Sequence, residues 1–188
     1  MQAHDMPFTK LINVDQGARE HFHVPKYQRE YTWKKWQWEQ LLNDIEDNDA
    51  GYFMGSIICV NDTQSITAGD ELIFEVVDGQ QRLTTLTMLL DALIDVVDDA
   101  SIKQHYRNTF VHHPVTGAKF RVLGANEAFF RDLLDEKSPQ PCSDGQEKML
   151  IAYRWIRQRV AALLDKGGAA VGQGLAVVHQ QYGGSAVH

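Results

Sequence analysis

At 188 residues the chain has the length of one globular domain, or of one domain with a tail, on the usual scale of roughly 100 to 200 residues per domain. Apolar residues are 44%, charged residues 23% and aromatics 10%, which excludes a disordered or collagenous chain. Apolar-rich stretches such as 57–60 and 73–77 fall far short of the roughly 20 residues that cross a bilayer. With 18 basic and 25 acidic side chains the net charge is -7, which argues against nonspecific coating of nucleic acid and leaves room for a local basic site. No apolar signal core opens the chain, so a cytoplasmic address is expected. Cys59 and Cys142 are isolated, form no CxxC pair and read as reduced thiols.

In chain order, the first distinct feature is the segment 19–35. Arg19, Lys26, Arg29, Lys34 and Lys35 face only Glu20 and Glu30 there, a local net charge of +3, with Phe22, Tyr27, Tyr31 and Trp33 interleaved. Such a loop suits an anionic ligand, aromatics stacking on a base and cations meeting phosphate, although Tyr31 and Trp33 serve equally well as core aromatics. His21 and His23 alternate on one side of an expected strand; two imidazoles can share a metal, but no third ligand accompanies them. Trp38, Leu41, Leu42 and Ile45 recur at helical spacing and predict an amphipathic helix over 34–47.

Residues 52–60 predict a strand and 72–77 its neighbour, with a polar loop containing Gly69 between them. The second strand runs into Asp78-Gly79, after which Leu83, Leu86, Leu90, Leu93 and Val97 trace one face of a helix over 80–98. The acids Asp91, Asp95, Asp98 and Asp99, late on that helix, read as a solvated face. A short strand over 119–123, a helix over 126–134 and a proline-bearing loop over 135–145 follow. In the last helix Met149, Tyr153, Ile156, Val160 and Leu163 stand 4, 3, 4 and 3 residues apart, with Lys148, Arg154, Arg157 and Arg159 on the polar face. The expected partition is a core over 1–125, a C-terminal helical extension over 126–166 and a flexible glycine-rich tail over 167–188. The class is α/β (α+β), a small mixed sheet with packed helices.

The most informative stretch is Asp78-Gly79-Gln80-Gln81-Arg82-Leu83-Thr84-Thr85. A strand that ends at Asp-Gly and enters a helix leaves the first helical N–H groups pointing at the turn, where the helix dipole also favours negative charge. Gly79 allows close backbone approach, and the planar fork of Arg82 suits phosphate in a way lysine does not. Gln80 and Gln81 add neutral donors and acceptors. Asp78 is suited to cap the helix, to hold a metal through water, or to orient a water molecule.

Three motifs together resemble the DUF262 family, the N-terminal domain of the GmrSD type of modification-dependent restriction systems. They are Pro25-x-Tyr27-Gln28-Arg29-x-Tyr31-x-Trp33, Tyr52-Phe53-Met54-Gly55-Ser56-Ile57 and Asp78-Gly79-Gln80-Gln81-Arg82-Leu83-Thr84-Thr85, in the family's order and spacing, and the helix carrying Ala152-Tyr153 is similar as well. The resemblance covers about 8–165 and implies a ParB/sulfiredoxin-like fold with NTP binding and hydrolysis, supported by a divalent cation such as Mg2+. It implies phage-defence or restriction coupling to DNA, often through a C-terminal HNH nuclease. Asp78, Gln80, Gln81 and Arg82 are then the candidate catalytic residues. Gly79, Arg82 and Thr84, with Tyr27, Gln28 and Arg29, are the candidate nucleotide contacts, and Lys26, Tyr27, Gln28 and Arg29 the candidate contacts to modified DNA. The loop over 26–33 and the turn over 78–82 are expected to form two walls of one pocket.

Two departures qualify the resemblance. No room for a nuclease follows residue 165, and His112-His113 lacks metal-spaced partners, so cleavage is expected from a separate HNH-type subunit. Sulfiredoxin chemistry needs a cysteine between the Gly and Arg of the turn, where this chain has Gln80 and Gln81, so thiol redox chemistry is not expected. A noncatalytic module that senses modified DNA is the alternative to an NTPase.

Overall fold

Phe22 and Phe74 stack across two neighbouring parallel strands, ring centroids 5.4 Å apart, and mark the sheet face that carries the core. Strands β1 (Glu20–His23), β2 (Ile58–Asn61), β3 (Leu72–Asp78) and β4 (Phe120–Arg121) form one sheet in the order β2-β3-β1-β4. β1 lies parallel to both β3 and β4, while β2 closes one edge antiparallel to β3. The computed structural model describes residues 7–13, 20–49, 52–61, 72–112, 118 and 120–165. The glycine-rich tail expected at 167–188, the Gly69 loop and His113 lie outside them.

Around the sheet are α1 (Phe8–Ile12), α2 (Lys35–Asp47), α3 (Gln80–Asp95), α4 (Ala100–Tyr106), α5 (Glu127–Leu134) and α6 (Asp144–Asp165), so the fold is mixed α/β. A π-helical turn, Arg107–Val111, continues α4, and a 3-10 turn, Gly124–Asn126, leads into α5. Helix α3 packs along α6 and against the π-helical turn. Its Leu83, Met88, Leu90 and Ile94 join Phe22 and Val76 of the sheet and Met149, Ala152, Ile156 and Val160 of α6 in one core.

Burial on α3 exceeds the single stripe that its leucine spacing predicts, because three threonines are buried as well. Their hydroxyls are satisfied locally: Thr84, Thr85 and Thr87 donate to the carbonyls of Gln80, Gln81 and Leu83 at 2.9, 2.8 and 2.9 Å. A buried hydroxyl so paired costs little, and the helix can enter the interior on nearly all sides.

Four expectations are corrected. The strand predicted over 52–60 begins only at Ile58, because Gly55 takes φ +103, a left-handed conformation that no extended strand contains. The helix predicted over 80–98 ends at Asp95, because Asp99 caps α4 by accepting from Ser101 N and Ile102 N at 2.8 and 3.0 Å. The strand over 119–123 is confined, among the described residues, to Phe120 and Arg121. The acids on α3 are not a solvated face: Asp91 is fully buried, and the side chain of Asp95 is 7% exposed. Only Asp98 and Asp99 are exposed.

The buried acids are matched by side chains from three other elements. Tyr153 OH donates to Asp91 Oδ2 at 2.5 Å, and Arg107 Nη1 lies 3.0 Å from both Asp91 Oδ1 and Asp95 Oδ1. Lys103 and Arg157 reach Asp95 at 3.3 Å each, and Arg157 also pairs with Glu136. Burial pushes the Asp91 carboxyl up to about 7, with the Arg107 charge and the Tyr153 hydrogen bond opposing. This cluster ties α3, α4, the π-helical turn and α6 together at the end of α3 far from Gly79.

Candidate functional site

The turn between β3 and α3 requires its glycine. Gly79 has φ +92 and ψ 2, and a Cβ there would stand 3.1 Å from Ile57 Cγ1 and 3.2 Å from the Ser56 carbonyl. No side chain caps α3. Leu83 N is the first amide to find a carbonyl, that of Gly79 at 2.9 Å, so the N–H groups of Gln80, Gln81 and Arg82 have no partner among the described residues. Asp78, exposed at the end of β3, does not cap the helix, and its carboxylate makes no hydrogen bond or ion pair among the described residues. An uncapped helix start next to an unpaired acid leaves three N–H donors and the positive end of the dipole without a described partner.

Arg82 lies along one side of this opening. Its Nη1 donates to the Ser56 carbonyl at 3.1 Å, and its guanidinium packs so tightly on Gly55 that a Cβ there would lie 2.7 Å from Arg82 Cζ. The Tyr52-Phe53-Met54-Gly55-Ser56-Ile57 motif thus wraps Arg82 and the turn together, with Phe53 69% exposed beside it in sequence.

The basic aromatic loop meets the turn from the other side. Gln28 N donates to the Pro25 carbonyl at 3.0 Å, which tightens a turn and turns Tyr27 outward, 69% exposed. Gln28 Nε2 donates to the Val77 carbonyl at 2.8 Å, and Gln80 Nε2 donates to Gln28 Oε1 at 3.0 Å. Gln81 Oε1 accepts from Thr32 N at 2.7 Å and Trp33 N at 3.3 Å, while its Nε2 donates to the Glu30 carbonyl at 3.1 Å. Arg29, Gln80, Gln81 and Thr84 line one small cleft; Arg82 does not line it and faces the Gly55 side. Lys26 and Arg29 are exposed.

Tyr31 belongs to the core. Trp38 Nε1 donates to Tyr31 OH at 2.8 Å, and Tyr31 OH lies 2.7 Å from Thr85 Oγ1. Because the Thr85 proton is committed to the Gln81 carbonyl, Tyr31 is the donor to Thr85, and the chain Trp38, Tyr31, Thr85, Gln81 carbonyl leaves each group satisfied. Trp33 is half-buried against the same core. Tyr27 is the aromatic of this loop left free to stack.

Glu30 was not singled out from sequence, yet it fixes the loop to α6. Its carboxylate accepts from Ser143 Oγ at 3.0 Å and Gly145 N at 3.2 Å, at the start of that helix. Asn126 Nδ2 approaches it at 3.4 Å, and Gln146 Nε2 donates to Asn126 Oδ1 at 3.0 Å. A lone acid within a basic motif was the available signal.

The rings of His21 and His23 lie 6.2 Å apart, and among the described residues no three His, Cys, Asp or Glu are grouped to hold a metal ion. Cys59 and Cys142 are free thiols, and burial raises the Cys59 thiol to about 11, which holds it protonated and unreactive. No helix among the described residues is long and apolar enough to cross a membrane.

The class is thus a mixed α/β domain in which a strand passes through a Gly-Gln-Gln-Arg turn into an uncapped helix, with the loops at 25–33 and 52–57 bonded to that turn. The chain matches the GmrSD restriction endonuclease N-terminal domain family over residues 9–181 and belongs to that family, which makes it a restriction-related module. No curated protein matches the sequence.

Proposed function

We propose that this domain binds a nucleoside triphosphate at the β3–α3 turn and hydrolyses it, or reports its presence, in a restriction system that acts on modified DNA. The observation that carries the proposal is the uncapped start of α3, whose first three N–H groups have no described partner, with Arg82 bonded to the Ser56 carbonyl on one side and Gln28 of the basic loop bonded to Gln80 on the other. Phosphate oxygens accept from the turn and from Arg82, and Tyr27 offers a face to the base. Asp78 fits a divalent cation such as Mg2+, because that ion takes one or two protein carboxylates and fills its remaining positions with phosphate oxygens and water. The bound cation would neutralise phosphate charge; Asp78 holds it or orients a water, and Gln80, with its Oε1 free of any described partner, lines the adjoining cleft with Arg29.

Phosphate release from ATP, GTP, CTP and UTP, each with and without glucosylated or methylated DNA, tests this directly. Release from one NTP supports hydrolysis; binding without release supports nucleotide sensing. On the same reading DNA cleavage falls to a separate nuclease partner, and metal-dependent cutting of modified plasmid by the pure chain would contradict that assignment.

A second reading, a noncatalytic sensor of modified DNA, is favoured by one observation: Tyr27 and Phe53, each 69% exposed, accompany the exposed cations Lys26 and Arg29. Exposed aromatics among cations serve to stack an unpaired base and follow a phosphate backbone. DNA binding that is indifferent to NTP would favour it.

A further inference from the structure

Gln81 lies in the first turn of α3, yet the residue is 7% exposed and its side chain is committed elsewhere. Oε1 is occupied by two backbone N–H groups, those of Thr32 and Trp33, and Nε2 holds the Glu30 carbonyl. The amide therefore grips the main chain on both sides of Tyr31, whose ring is buried and whose hydroxyl is bound to Thr85 one helical turn along α3. We infer that the side chain of Gln81 has a positioning role: it sets the backbone of 30–33 and so presents Tyr27, Gln28 and Arg29 to the turn, without that side chain touching the ligand.

Only glutamine meets this geometry. One planar group must offer an acceptor to two N–H groups and a donor to a carbonyl, at the reach of a two-methylene side chain. Asparagine is a methylene short. Alanine leaves two donors and one acceptor without their partner. Glutamate keeps the acceptor but sets a second oxygen against the Glu30 carbonyl, a repulsion relieved when the carboxyl is protonated. The charged groups around this position are Arg29 and Glu30 from the loop and Arg82 on the same helix. Tyr31 is the remaining titratable neighbour, and Val122, Leu123, Asn126 and Met149 from the opposite side carry no charge.

The ligand half of the inference rests on the nucleotide reading; the loop half does not, so two readouts separate them. Backbone amide exchange over 26–33, and calorimetric affinity for the four NTPs with Mg2+, are measured on wild type, Gln81→Ala and Gln81→Glu at about pH 8 and about pH 5.5. Gln81→Ala should raise exchange in the loop and weaken NTP binding, each by roughly tenfold, the effect of losing a buried hydrogen-bond partner. Gln81→Glu should share both defects at the higher pH and recover toward wild type at the lower, in loop protection and affinity together. Recovery in the folded Glu variant distinguishes positioning from misfolding of the Ala variant. If no NTP binds the wild type, the nucleotide reading fails alone and loop exchange still decides the role of Gln81. Unchanged loop exchange in Gln81→Ala overturns the inference, as does a variant with native loop and affinity that has lost turnover.

Discussion

Gly55 and Arg82 are in such close contact that a single methyl group cannot be placed between them: a Cβ on Gly55 would meet the guanidinium carbon at 2.7 Å and both terminal nitrogens within 2.9 Å. The φ of +103 at Gly55 adds a second reason for glycine, since an L side chain is strained there whatever the space. Two separate motifs thereby become one device, in which the segment before β2 fixes the direction of the arginine beside the turn. Gly55→Ala should destabilise the domain by about 1 to 3 kcal/mol, the cost of a non-glycine residue in a disfavoured backbone conformation. It should also turn Arg82 away from the Ser56 carbonyl. Chemical denaturation measures the first effect. A variant as stable as wild type would show that the segment rearranges freely and does not hold Arg82.

Glu30 and Gly145 give a cleaner energetic test, because glycine here has no unusual φ and alanine is the better helix former by about 1 kcal/mol. The clash decides the sign: a Cβ on Gly145 would lie 2.5 Å from Glu30 Cβ. Gly145→Ala should cost about 1 to 3 kcal/mol by overpacking, and Glu30→Ala about 1 kcal/mol by loss of the cap. The Glu30→Ala protein retains its own Cβ, so the clash is eased only through the freedom the truncated side chain regains. The double variant should therefore lose less than the sum. Urea unfolding of the four proteins reads the coupling, and strict additivity would separate the loop from α6.

Asp91 should impose a pH dependence on stability with a defined sign. Burial raises its carboxyl to about 7, whereas in an unfolded chain it titrates near 3.9. Between those values the folded protein holds a proton that the unfolded chain has lost, so this stabilising contribution is complete at about pH 4 and fades as the pH rises toward 7. Glu136, held low by its hydrogen bond to Arg157, acts in the opposite direction in both proteins and cancels in the comparison. The melting temperature of Asp91→Asn minus that of wild type should rise steadily from about pH 4 to about pH 8. A flat difference would mean that Asp91 does not titrate in this window.

The parts legible in the sequence are those whose partners are near in the chain or whose period is regular. The run into Asp78-Gly79 and the leucines of α3 announced the strand, turn and helix; the loop at 25–33 does bond to the turn, but the single pocket expected between them is not formed with Arg82, which lies on the Gly55 side away from the cleft that Arg29 lines. Asp91 was misread because its partner Tyr153 is 62 residues away and no local spacing records the encounter. Gln81 was expected among the reacting groups because its place in the motif gives no direction for its side chain. That direction depends on Tyr31, which is buried, and on the loop backbone that follows it. Gly55 looked like part of a strand because Tyr52 and Phe53 carry β propensity, and propensity yields where a glycine takes φ +103.

The central claim is that the open start of α3 and Arg82 together hold phosphate. Calorimetric titration of ATP, GTP, CTP and UTP with Mg2+ into wild type, Arg82→Lys and Arg82→Ala tests it most directly. Loss of a charge-assisted contact should weaken binding by about 1.5 to 3 kcal/mol in the alanine variant, and lysine, lacking the planar fork, should restore only part of it. Equal affinities in all three folded proteins would remove Arg82 from the phosphate site and contradict the account.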